Sequence, residues 1–278
     1  MVEPGQYVVI GNPIEHSKSP QIHSMFARQT GISIEYKKLL CPIGDFSKVV
    51  SEFFASGGRG ANVTVPFKLE AYKFSTLRSS RVEHAQAANT LINNNGVITA
   101  ENTDGIGLVR DIIGNLKYPI SNKSVLIVGA GGATRGVLLP ILNEGPKAIT
   151  VVNRTKEKAH QLIKTIETEA SDLSVDLASG GLLDLNDGQF DLVVNATSSS
   201  LSDEAFPLST NILSSKALAY DMMYGKEETS FTRWAYTAKA YKTVDGLGML
   251  VEQAAESFSL WCGELPDTRT VMETLRSE

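Results

Sequence analysis

The stretch "KSVLIVGAGGATRGVLLPIL" (residues 123–142) restricts the fold of this chain more than any other segment. A β-rich apolar run enters Gly129, Gly131 and Gly132, and an apolar helical pattern follows. This is the pattern of a dinucleotide-binding strand–turn–helix, in which the glycines let a pyrophosphate reach the backbone N–H groups of the helix N-terminus. Thr134 stands where this fingerprint usually has Gly or Ala. The alternative is a glycine turn that serves the fold alone.

Strand-like runs alternate with amphipathic helical patterns on both sides of this unit. "QYVVI", "EYKKLL" and "ANVTV" predict strands in the first part of the chain, and "NTLINNNGVITAENT" predicts a hairpin around an Asn/Gly turn. The alternation favours an α/β fold with a largely parallel sheet. With 278 residues, of which 42% are hydrophobic, the chain is long enough for two domains of about 100–150 residues each.

Charge and cysteine content exclude several classes of protein. The net charge of -5 disfavours a nucleic-acid binder. The N-terminal residues do not read as a secretory signal, and no apolar run approaches the ~20 residues of a membrane span. Cys41 and Cys262 lie far apart and the four histidines have no ligand spacing, so we expect neither a disulfide nor a metal site. These features favour a cytoplasmic protein without membrane or nucleic-acid partners.

The end of the next strand, "VVNRT", indicates which dinucleotide is bound. An NAD site usually carries Asp or Glu about 20 residues past the glycines. Here Asn153, Arg154 and Thr155 take that place, with Lys158 one turn on. A guanidinium and an ammonium can pair with a phosphate, so the sequence predicts NADP. The alternative is a set of ordinary surface charges at a helix start.

The strand "FDLVVNAT" ends in Asn195 and Thr197. Ligands of open α/β sheets bind at the carboxyl ends of the strands, so these side chains are candidates for the cofactor site. A turn or helix cap explains them equally well.

Polar residues outside this unit also follow strand ends. In "GNPIEHSKSP" the hydroxyls of Ser17 and Ser19 are suited to hold a carboxylate, although Ser19 before Pro20 also reads as a helix N-cap. Pro20 at the first helical position and Gly31 after the last one predict a helix between them.

Two further polar segments place a lysine and an aspartate after strands. "NVTVPFK" carries Asn62, Thr64 and Lys68, and "AENTDGIG" carries Thr103 and Asp104. A lysine that supplies a proton and an aspartate that orients it form a suitable couple for hydride transfer from an alcohol. The alternatives are a helix cap at Asp104 and an exposed salt bridge.

Short motifs of this kind are spread along nearly the whole chain. They are "GNPIEHSKSPQIH" at 11–23, "NVTVPFK" at 62–68, "ANTL" at 88–91, "NTDGIG" at 102–107, "GAGGATRGVLLP" at 129–140, "NRT" at 153–155, "NAT" at 195–197, "YDMMYGKEET" at 220–229 and "DGLGMLVEQAAESF" at 245–258. In this order and number they resemble the shikimate dehydrogenase family. The resemblance implies NADP-dependent interconversion of 3-dehydroshikimate and shikimate, on the route to chorismate and the aromatic amino acids.

The resemblance also implies a role for each matching residue. Lys68 and Asp104 would be the catalytic pair. Substrate-binding residues would be Ser17 and Ser19 with Tyr224 at the carboxylate, and Asn62, Thr64, Lys68, Asn89, Thr103, Asp104 and Gln253 elsewhere. Cofactor-binding residues would be Gly129, Ala130, Gly131, Gly132, Ala133, Asn153, Arg154, Thr155, Lys158, Thr197, Met222, Gly246 and Met249.

The implied architecture has two domains. Residues 1–104 and 247–278 would form an N-terminal α/β substrate-binding domain to which the C-terminal helices return, and 105–246 a Rossmann-type NADP-binding domain. The protein would act on a small molecule as a monomer or homodimer. Two alternatives remain at this point: a quinate/shikimate dehydrogenase that uses NAD, and a non-catalytic NADP-binding regulator.

Overall fold

The structure is a computed structural model that describes residues 4–185, 188–197, 205–225 and 227–278. The chain divides into a first unit, Met1–Gly107 with Leu250–Glu278, and a second unit, Leu108–Met249. Each unit combines one β-sheet with helices, so the predicted α/β class is confirmed. The assignment of 1–104 with 247–278 to substrate and of 105–246 to NADP stays a prediction.

The first unit is built on a mixed sheet. Its strands are β1 (Gly5–Gly11), β2 (Ile34–Leu40), β3 (Gly58–Val63), β4 (Leu77–Arg78), β5 (Thr90–Asn94) and β6 (Val97–Glu101), in the spatial order β2-β1-β3-β5-β6-β4. β1 is parallel to β2 and β3, as predicted. The expected hairpin is β5–β6, with Asn95 and Gly96 at φ 55° and 90° in its turn. β5 runs antiparallel to both of its neighbours, β3 and β6, so the sheet is less parallel than the sequence suggested.

The second unit has a fully parallel sheet among its described residues. Its strands are β7 (Ser124–Val128), β8 (Ala148–Asn153), β9 (Asp176–Gly181), β10 (Phe190–Asn195), β11 (Leu213–Asp221) and β12 (Lys242–Val244), in the order β9-β8-β7-β10-β11-β12. This is the Rossmann-type order, and the direction of winding reverses between β7 and β10. The carboxyl ends of those two strands therefore form the edge at which such sheets bind ligands.

Helices connect most of these strands. They are α1 (Ser19–Thr30), α2 (Phe46–Ala55), α3 (Lys68–Phe74), α4 (Ser80–Ala85), α5 (Asp104–Val109), α6 (Gly132–Asn143), α7 (Lys156–Ile163), α8 (Glu167–Asp172), α9 (Ser230–Thr237), α10 (Leu247–Cys262) and α11 (Thr268–Arg276). A π-helical turn (Arg110–Asn115) continues α5, and a 3₁₀ turn (Lys164–Ile166) joins α7 to α8. In the described part of the chain, no helix combines the length and apolar character needed to span a membrane.

Helix α1 shows which of its terminal signals the structure uses. Pro20 lies in its first turn and Gly31 ends it in the left-handed conformation, φ 70°, as the sequence predicted. The N-cap, however, is Lys18, and the Ser19 hydroxyl makes no capping bond. The cap reading of Ser19 is therefore wrong, because its hydroxyl instead accepts a bond from Ser17 Oγ, 3.2 Å away.

The core of the first unit fixes the start of α3. Phe67, directly before Lys68, is fully buried and stacks on Phe46 with ring centroids 5.3 Å apart. Burying a phenylalanine side chain contributes about 2–3 kcal/mol. Lys68 thus follows an anchored backbone position.

Candidate active site

Lys68 and Asp104 meet in the first unit. Each is the first residue of its helix, α3 and α5, and Lys68 Nζ lies 2.5 Å from Asp104 Oδ2. The side chains are only 15% and 6% exposed, so this is a largely buried ion pair and the surface salt-bridge reading is wrong. The turn before α5 is closed by Asn102, whose Oδ1 accepts the Asp104 N–H at 3.1 Å. The Asp104 carboxylate is therefore available to Lys68 instead of serving as a helix cap.

Asn89 links this pair to two other predicted residues. Its Nδ2 lies 2.9 Å from Asp104 Oδ1, 2.9 Å from Thr103 Oγ1 and 3.2 Å from Gln253 Oε1, while its Oδ1 accepts the Thr103 N–H at 2.8 Å. Asn89 is 3% exposed, so these contacts fix its amide. Gln253 comes from α10, which returns to the first unit 164 residues later in the sequence.

Asn62 lies behind Asn89 and is bonded on both sides of its amide. Its Oδ1 accepts from the Tyr36 hydroxyl at 2.7 Å, and its Nδ2 donates to Thr90 Oγ1 at 3.1 Å and Ser257 Oγ at 3.0 Å. Asn62 is 6% exposed. The sequence predicted that Asn62 contacts a ligand hydroxyl. In the structure, protein groups bond both sides of its amide, so Asn62 has a supporting position.

Sequence reasoning missed Tyr36, Thr90 and Ser257. Tyr36 and Thr90 lie in strand patterns where such residues are ordinary. Ser257 had a usable signal, because it follows Gln253 by four residues and helical side chains at that spacing share a face.

Ser17, Ser19 and Thr64 lie at the carboxyl edge of the first sheet. Ser17 is half-buried and Ser19 is buried, and they precede or begin α1. Thr64 follows the end of β3, and its N–H donates to Ile10 O at 2.9 Å. A Cβ on Gly11 would lie 2.5 Å from Thr64 Cγ2, so glycine is needed for the two backbone segments to approach each other here. Since β1 and β3 are parallel neighbours, the segments that follow them leave the same edge.

The glycine turn of the second unit has the form required by a pyrophosphate. Gly129 has φ +110°, and an added Cβ would lie 2.8 Å from Thr197 Cγ2. Gly131 is the N-cap of α6, where no side chain caps the helix and an added Cβ would meet open space. Ala130, Gly132 and Ala133 complete the turn and the start of α6. Thr134 departs from the fingerprint because its Oγ1 donates to Gly129 O at 2.9 Å and closes the turn.

The polar residues after β8 are presented to solvent. Asn153 ends the strand and its Nδ2 donates to Thr155 O at 2.9 Å. Arg154, Thr155 and Lys158 are exposed, and neither basic side chain forms an ion pair within the described residues. The donor set and the uncapped α6 together fit NADP, since they supply backbone N–H groups for a pyrophosphate and cations for a further phosphate.

A buried carboxylate organises the segments after β10 and β11. Asp221 is fully buried and accepts from Asn195 Nδ2 at 2.9 Å, the Met223 N–H at 3.0 Å and Thr229 Oγ1 at 2.6 Å. Asn195 Oδ1 in turn accepts from Thr197 Oγ1 at 2.8 Å. Asn195 therefore closes a turn, which was the structural alternative that the sequence left open for it.

The remaining predicted residues flank this carboxylate. Met222 and Met249 are buried, and Tyr224 is half-buried. The Gly246 N–H donates to Met223 O at 2.9 Å, and an added Cβ on Gly246 would lie 2.3 Å from Met222 O. The described residues contain no group of three or more His, Cys, Asp or Glu side chains arranged to hold a metal ion.

The Rossmann-type sheet and the buried lysine–aspartate pair define an α/β oxidoreductase of the dinucleotide-dependent class. Family models match the chain at 9–91 (shikimate dehydrogenase substrate binding domain), 109–202 (shikimate / quinate 5-dehydrogenase) and 246–276 (shikimate 5'-dehydrogenase C-terminal domain). The chain therefore belongs to the shikimate dehydrogenase family, and the predicted resemblance is confirmed.

Individual relatives agree over almost the whole length. The shikimate dehydrogenase (NADP(+)) of Aromatoleum aromaticum is 49% identical over 98% of this chain and 97% of its own. The crystal structure of an Ael1 enzyme from Pseudomonas putida is 44% identical, with a TM-score of 0.86 and 98% of each chain covered. Shikimate 5-dehydrogenase of Thermus thermophilus, crystallised with NADP(H) and shikimate, is 29% identical, with a TM-score of 0.84 over 98% of this chain and 99% of its own.

Proposed function

We propose that the protein is an enzyme that catalyses the reversible, NADPH-dependent reduction of 3-dehydroshikimate to shikimate, a step towards chorismate and the aromatic amino acids. The observation that carries the proposal is the buried contact of Lys68 Nζ with Asp104 Oδ2 at 2.5 Å. A group of this kind is needed because a proton must reach the carbonyl oxygen as a hydride reaches its carbon. The choice of substrate and cofactor in this proposal follows the relatives, which are named shikimate dehydrogenase (NADP(+)).

Lys68 is the proton donor of this proposal in the direction of reduction. Its ammonium gives a proton to the oxygen that becomes the alcohol, and takes one back in oxidation. Asp104 accepts a hydrogen bond from Nζ and so sets the direction of the ammonium, while Asn89 holds the other carboxylate oxygen. The cofactor, when bound, would accept the hydride as NADP in oxidation and supply it as NADPH in reduction. The residues of the chain position the substrate and move the proton.

The substrate carboxylate is assigned to the hydroxyls of Ser17 and Ser19, with Tyr224 assisting. Hydroxyl donors bind a carboxylate by charge-assisted hydrogen bonds, which are stronger than neutral ones. The ring hydroxyls are assigned to a set of polar residues of the first unit: Thr64, Asn89, Thr103, Asp104 and Gln253. For Asn62 we propose mainly support of Asn89, because protein groups use both sides of its amide.

NADP is assigned to the second unit. The turn from Gly129 to Ala133 receives the pyrophosphate, because Gly129 has φ +110° and α6 begins without a side-chain cap. The exposed residues Asn153, Arg154, Thr155 and Lys158 receive the 2′-phosphate. Thr197, Met222, Gly246 and Met249 are assigned to the nicotinamide half.

An assay of the purified protein with four substrate pairs tests the proposal. Shikimate or quinate is supplied with NADP or NAD, and nicotinamide reduction is followed by absorbance. We expect the largest kcat/KM for shikimate with NADP. Quinate with NAD at an equal or higher kcat/KM would overturn both the substrate and the cofactor assignments. No turnover with any pair would favour a non-catalytic NADP-binding regulator.

We further propose that the protein works in the cytoplasm as a monomer or homodimer, without a nucleic-acid or membrane partner. Its two cysteines are free, as expected in a reducing compartment. Size-exclusion chromatography with light scattering measures the oligomeric state, and a trimer or larger assembly would contradict this assignment.

A further inference from the structure

Asp111 is a buried carboxylate of the second unit to which sequence reasoning gave no role. It lies in the π-helical turn Arg110–Asn115 and is 2% exposed. Single π-helical turns are rare and occur often at functional sites. A buried carboxylate is costly unless hydrogen-bond donors surround it, so its partners indicate why it is there.

The first partner is Tyr220, which is fully buried near the end of β11. The Tyr220 hydroxyl donates to Asp111 Oδ2 at 2.6 Å and accepts the Met249 N–H at 3.2 Å. Burial and the neighbouring carboxylate of Asp111 raise the pKa of Tyr220 well above its usual value. The hydroxyl therefore keeps its proton. The two hydrogen bonds run in one direction, from the Met249 N–H to Tyr220 and from Tyr220 to Asp111.

Asn115 of the same π-helical turn donates from Nδ2 to Asp111 Oδ1 at 3.0 Å, and the carboxylate also faces the backbone at Gly248. A Cβ there would lie 2.2 Å from both Asp111 oxygens, so the carboxylate packs against the glycine itself. Gly248 belongs to the first turn of α10, whose N-terminus carries a partial positive charge. Asp111 supplies the negative charge that such a helix end favours.

The same short segment is held at its other end by backbone contacts. The Gly246 N–H donates to Met223 O at 2.9 Å, and Gly246 has no room for a side chain against Met222 O. The segment Gly246–Met249 is therefore fixed at both ends. The residues that follow β11 hold Gly246, while Asp111 packs against Gly248 and Tyr220 bonds the Met249 N–H. Gly246 and Met249 are two of the residues assigned above to the nicotinamide half.

We propose that Asp111 and Tyr220 are positioning residues for the hydride-transfer step: they hold the segment Gly246–Met249 in the place that orients the nicotinamide. The inference rests on the proposed function, because it takes the nicotinamide assignment of this segment from there. Neither residue acts on the substrate. A misplaced segment affects turnover and NADPH binding more than shikimate binding, because Gln253, the substrate-binding residue of α10, lies beyond the segment.

Tyr220→Phe tests the proposal, because it removes one hydroxyl and keeps the ring. We expect kcat for shikimate oxidation to fall about tenfold and the Kd of NADPH, measured by its fluorescence, to rise about threefold or more. The KM for shikimate should stay within about twofold. A role in stability alone would lower Tm and leave these kinetic constants unchanged.

Tyr118→Phe is the matched control. The Tyr118 hydroxyl donates to the backbone oxygens of Asp191 at 2.6 Å and Lys216 at 3.1 Å, away from Gly246–Met249. It should cost a similar amount of stability without changing kcat or the Kd of NADPH. Equal kinetic effects of the two Tyr→Phe variants would overturn the proposal.

Asp111→Asn gives a second route to the answer if Tyr220→Phe does not fold. Its control is Asp191→Asn, since Asp191, like Asp111, accepts a hydroxyl, here from Ser214 at 2.8 Å, and a second hydrogen bond, here from the Ser124 N–H at 3.0 Å. We expect Asp111→Asn alone to weaken NADPH binding, and equal binding by the two Asp→Asn variants would contradict us. Because NADPH binding is measured without substrate, this result stands even if the wild-type protein fails to oxidise shikimate.

Discussion

The two oxygens of the Asp104 carboxylate have different partners, and this division orients Lys68. Oδ2 contacts Lys68 Nζ at 2.5 Å, and Oδ1 accepts from Asn89 Nδ2 at 2.9 Å. A carboxylate held on one oxygen by a buried amide cannot rotate freely, so the position of the ammonium on the other oxygen is fixed as well. The precision of the site at the residue scale thus depends on Asn89 as much as on the pair itself.

Replacing Lys68 tests the proton-transfer role directly. Lys68→Ala is expected to lower kcat by about a thousandfold or more, because general acid–base groups contribute about 10²–10⁴-fold. Substrate binding, measured as the Kd of shikimate, should change much less, since the group acts in the transition state. Lys73→Ala, in the last turn of the same helix and exposed, is the control and should keep wild-type turnover. Near-normal kcat in Lys68→Ala would rule out the assigned role.

Arg154 carries the prediction on cofactor choice. It is exposed and follows β8 at the place where an NAD enzyme would have a carboxylate. Arg154→Ala is expected to raise the KM for NADP about tenfold or more, because hydrogen bonds to a charged group contribute about 1.5–3 kcal/mol. The KM for NAD, which lacks the 2′-phosphate, should change little. The control is Lys156→Ala, at the exposed start of α7, which should alter neither KM. If Arg154→Ala raised the KM for NADP and the KM for NAD equally, recognition of the 2′-phosphate by Arg154 would be refuted.

At the scale of elements, Asp221 joins the end of β10 to the segment between β11 and α9. It bonds Asn195 of β10, the backbone after β11 and the Thr229 hydroxyl. Thr229 is also the N-cap of α9, and its Oγ1 accepts the Thr232 N–H at 3.1 Å. One hydroxyl therefore serves both the helix end and the buried carboxylate.

Thr229→Ala removes both of these bonds. We expect the free energy of unfolding to fall by about 2–4 kcal/mol, because a lost N-cap costs ~1 kcal/mol and the loss of a hydrogen bond to a buried carboxylate about 1–3 kcal/mol. Urea unfolding followed by circular dichroism measures the change. Thr237→Ala is the control: it lies in the last turn of the same helix, where the exposed hydroxyl donates to Arg233 O. A loss no larger than that of Thr237→Ala would show that the Asp221–Thr229 bond is not important for stability.

Elements with strong local signals could be predicted from the sequence, and others could not. Pro20 and Gly31 delimited α1, and the Asn/Gly turn marked the β5–β6 hairpin. Strand β9, "DLASGG", was not predicted, because it lies at the sheet edge and lacks the apolar residues of a central strand. The predicted strand "ANVTV" extends too far, since β3 ends at Val63 and Thr64 leaves the sheet.

The candidate site divides in the same way. The lysine, the aspartate and the glycine turn follow strand ends, so position along the chain was sufficient to find them. The supports of the site could not be found like this, because they join residues far apart in sequence. Tyr36 bonds Asn62 across 26 positions, and Ser257 bonds it across 195. Only the folded chain shows that these residues meet.

At the scale of the whole molecule, the first unit consists of both ends of the chain. Residues up to Gly107 supply Lys68, Asn89 and Asp104, and residues from Leu250 supply Gln253 and Ser257. The unit is therefore complete only when the C-terminal helices have returned to the sheet.

An aromatic cluster joins the two parts and surrounds a histidine. His23 of α1 is fully buried, stacks on Tyr36 with ring centroids 4.2 Å apart, and lies 5.4 Å from Trp261 and 6.2 Å from Phe258 of α10. Tyr36 in turn holds Asn62 through its hydroxyl. The cluster thus supports the polar network from behind, and a charge on His23 would disturb both.

The stability of the protein should consequently depend on pH through His23. Burial lowers the pKa of His23 from 6.5 to about 3, so the unfolded chain binds a proton below pH 6.5 while the folded chain does not. This costs the folded state about 2 kcal/mol at pH 5 relative to pH 7, and more as the pH approaches 3. The free energy of unfolding, measured in urea, should fall by this amount from pH 7 to pH 5 in the wild-type protein. In His23→Phe, which keeps a flat ring, this contribution to the fall should be absent. His16→Phe, at an exposed position, should keep it, and the same pH dependence in both variants would disprove the role of His23.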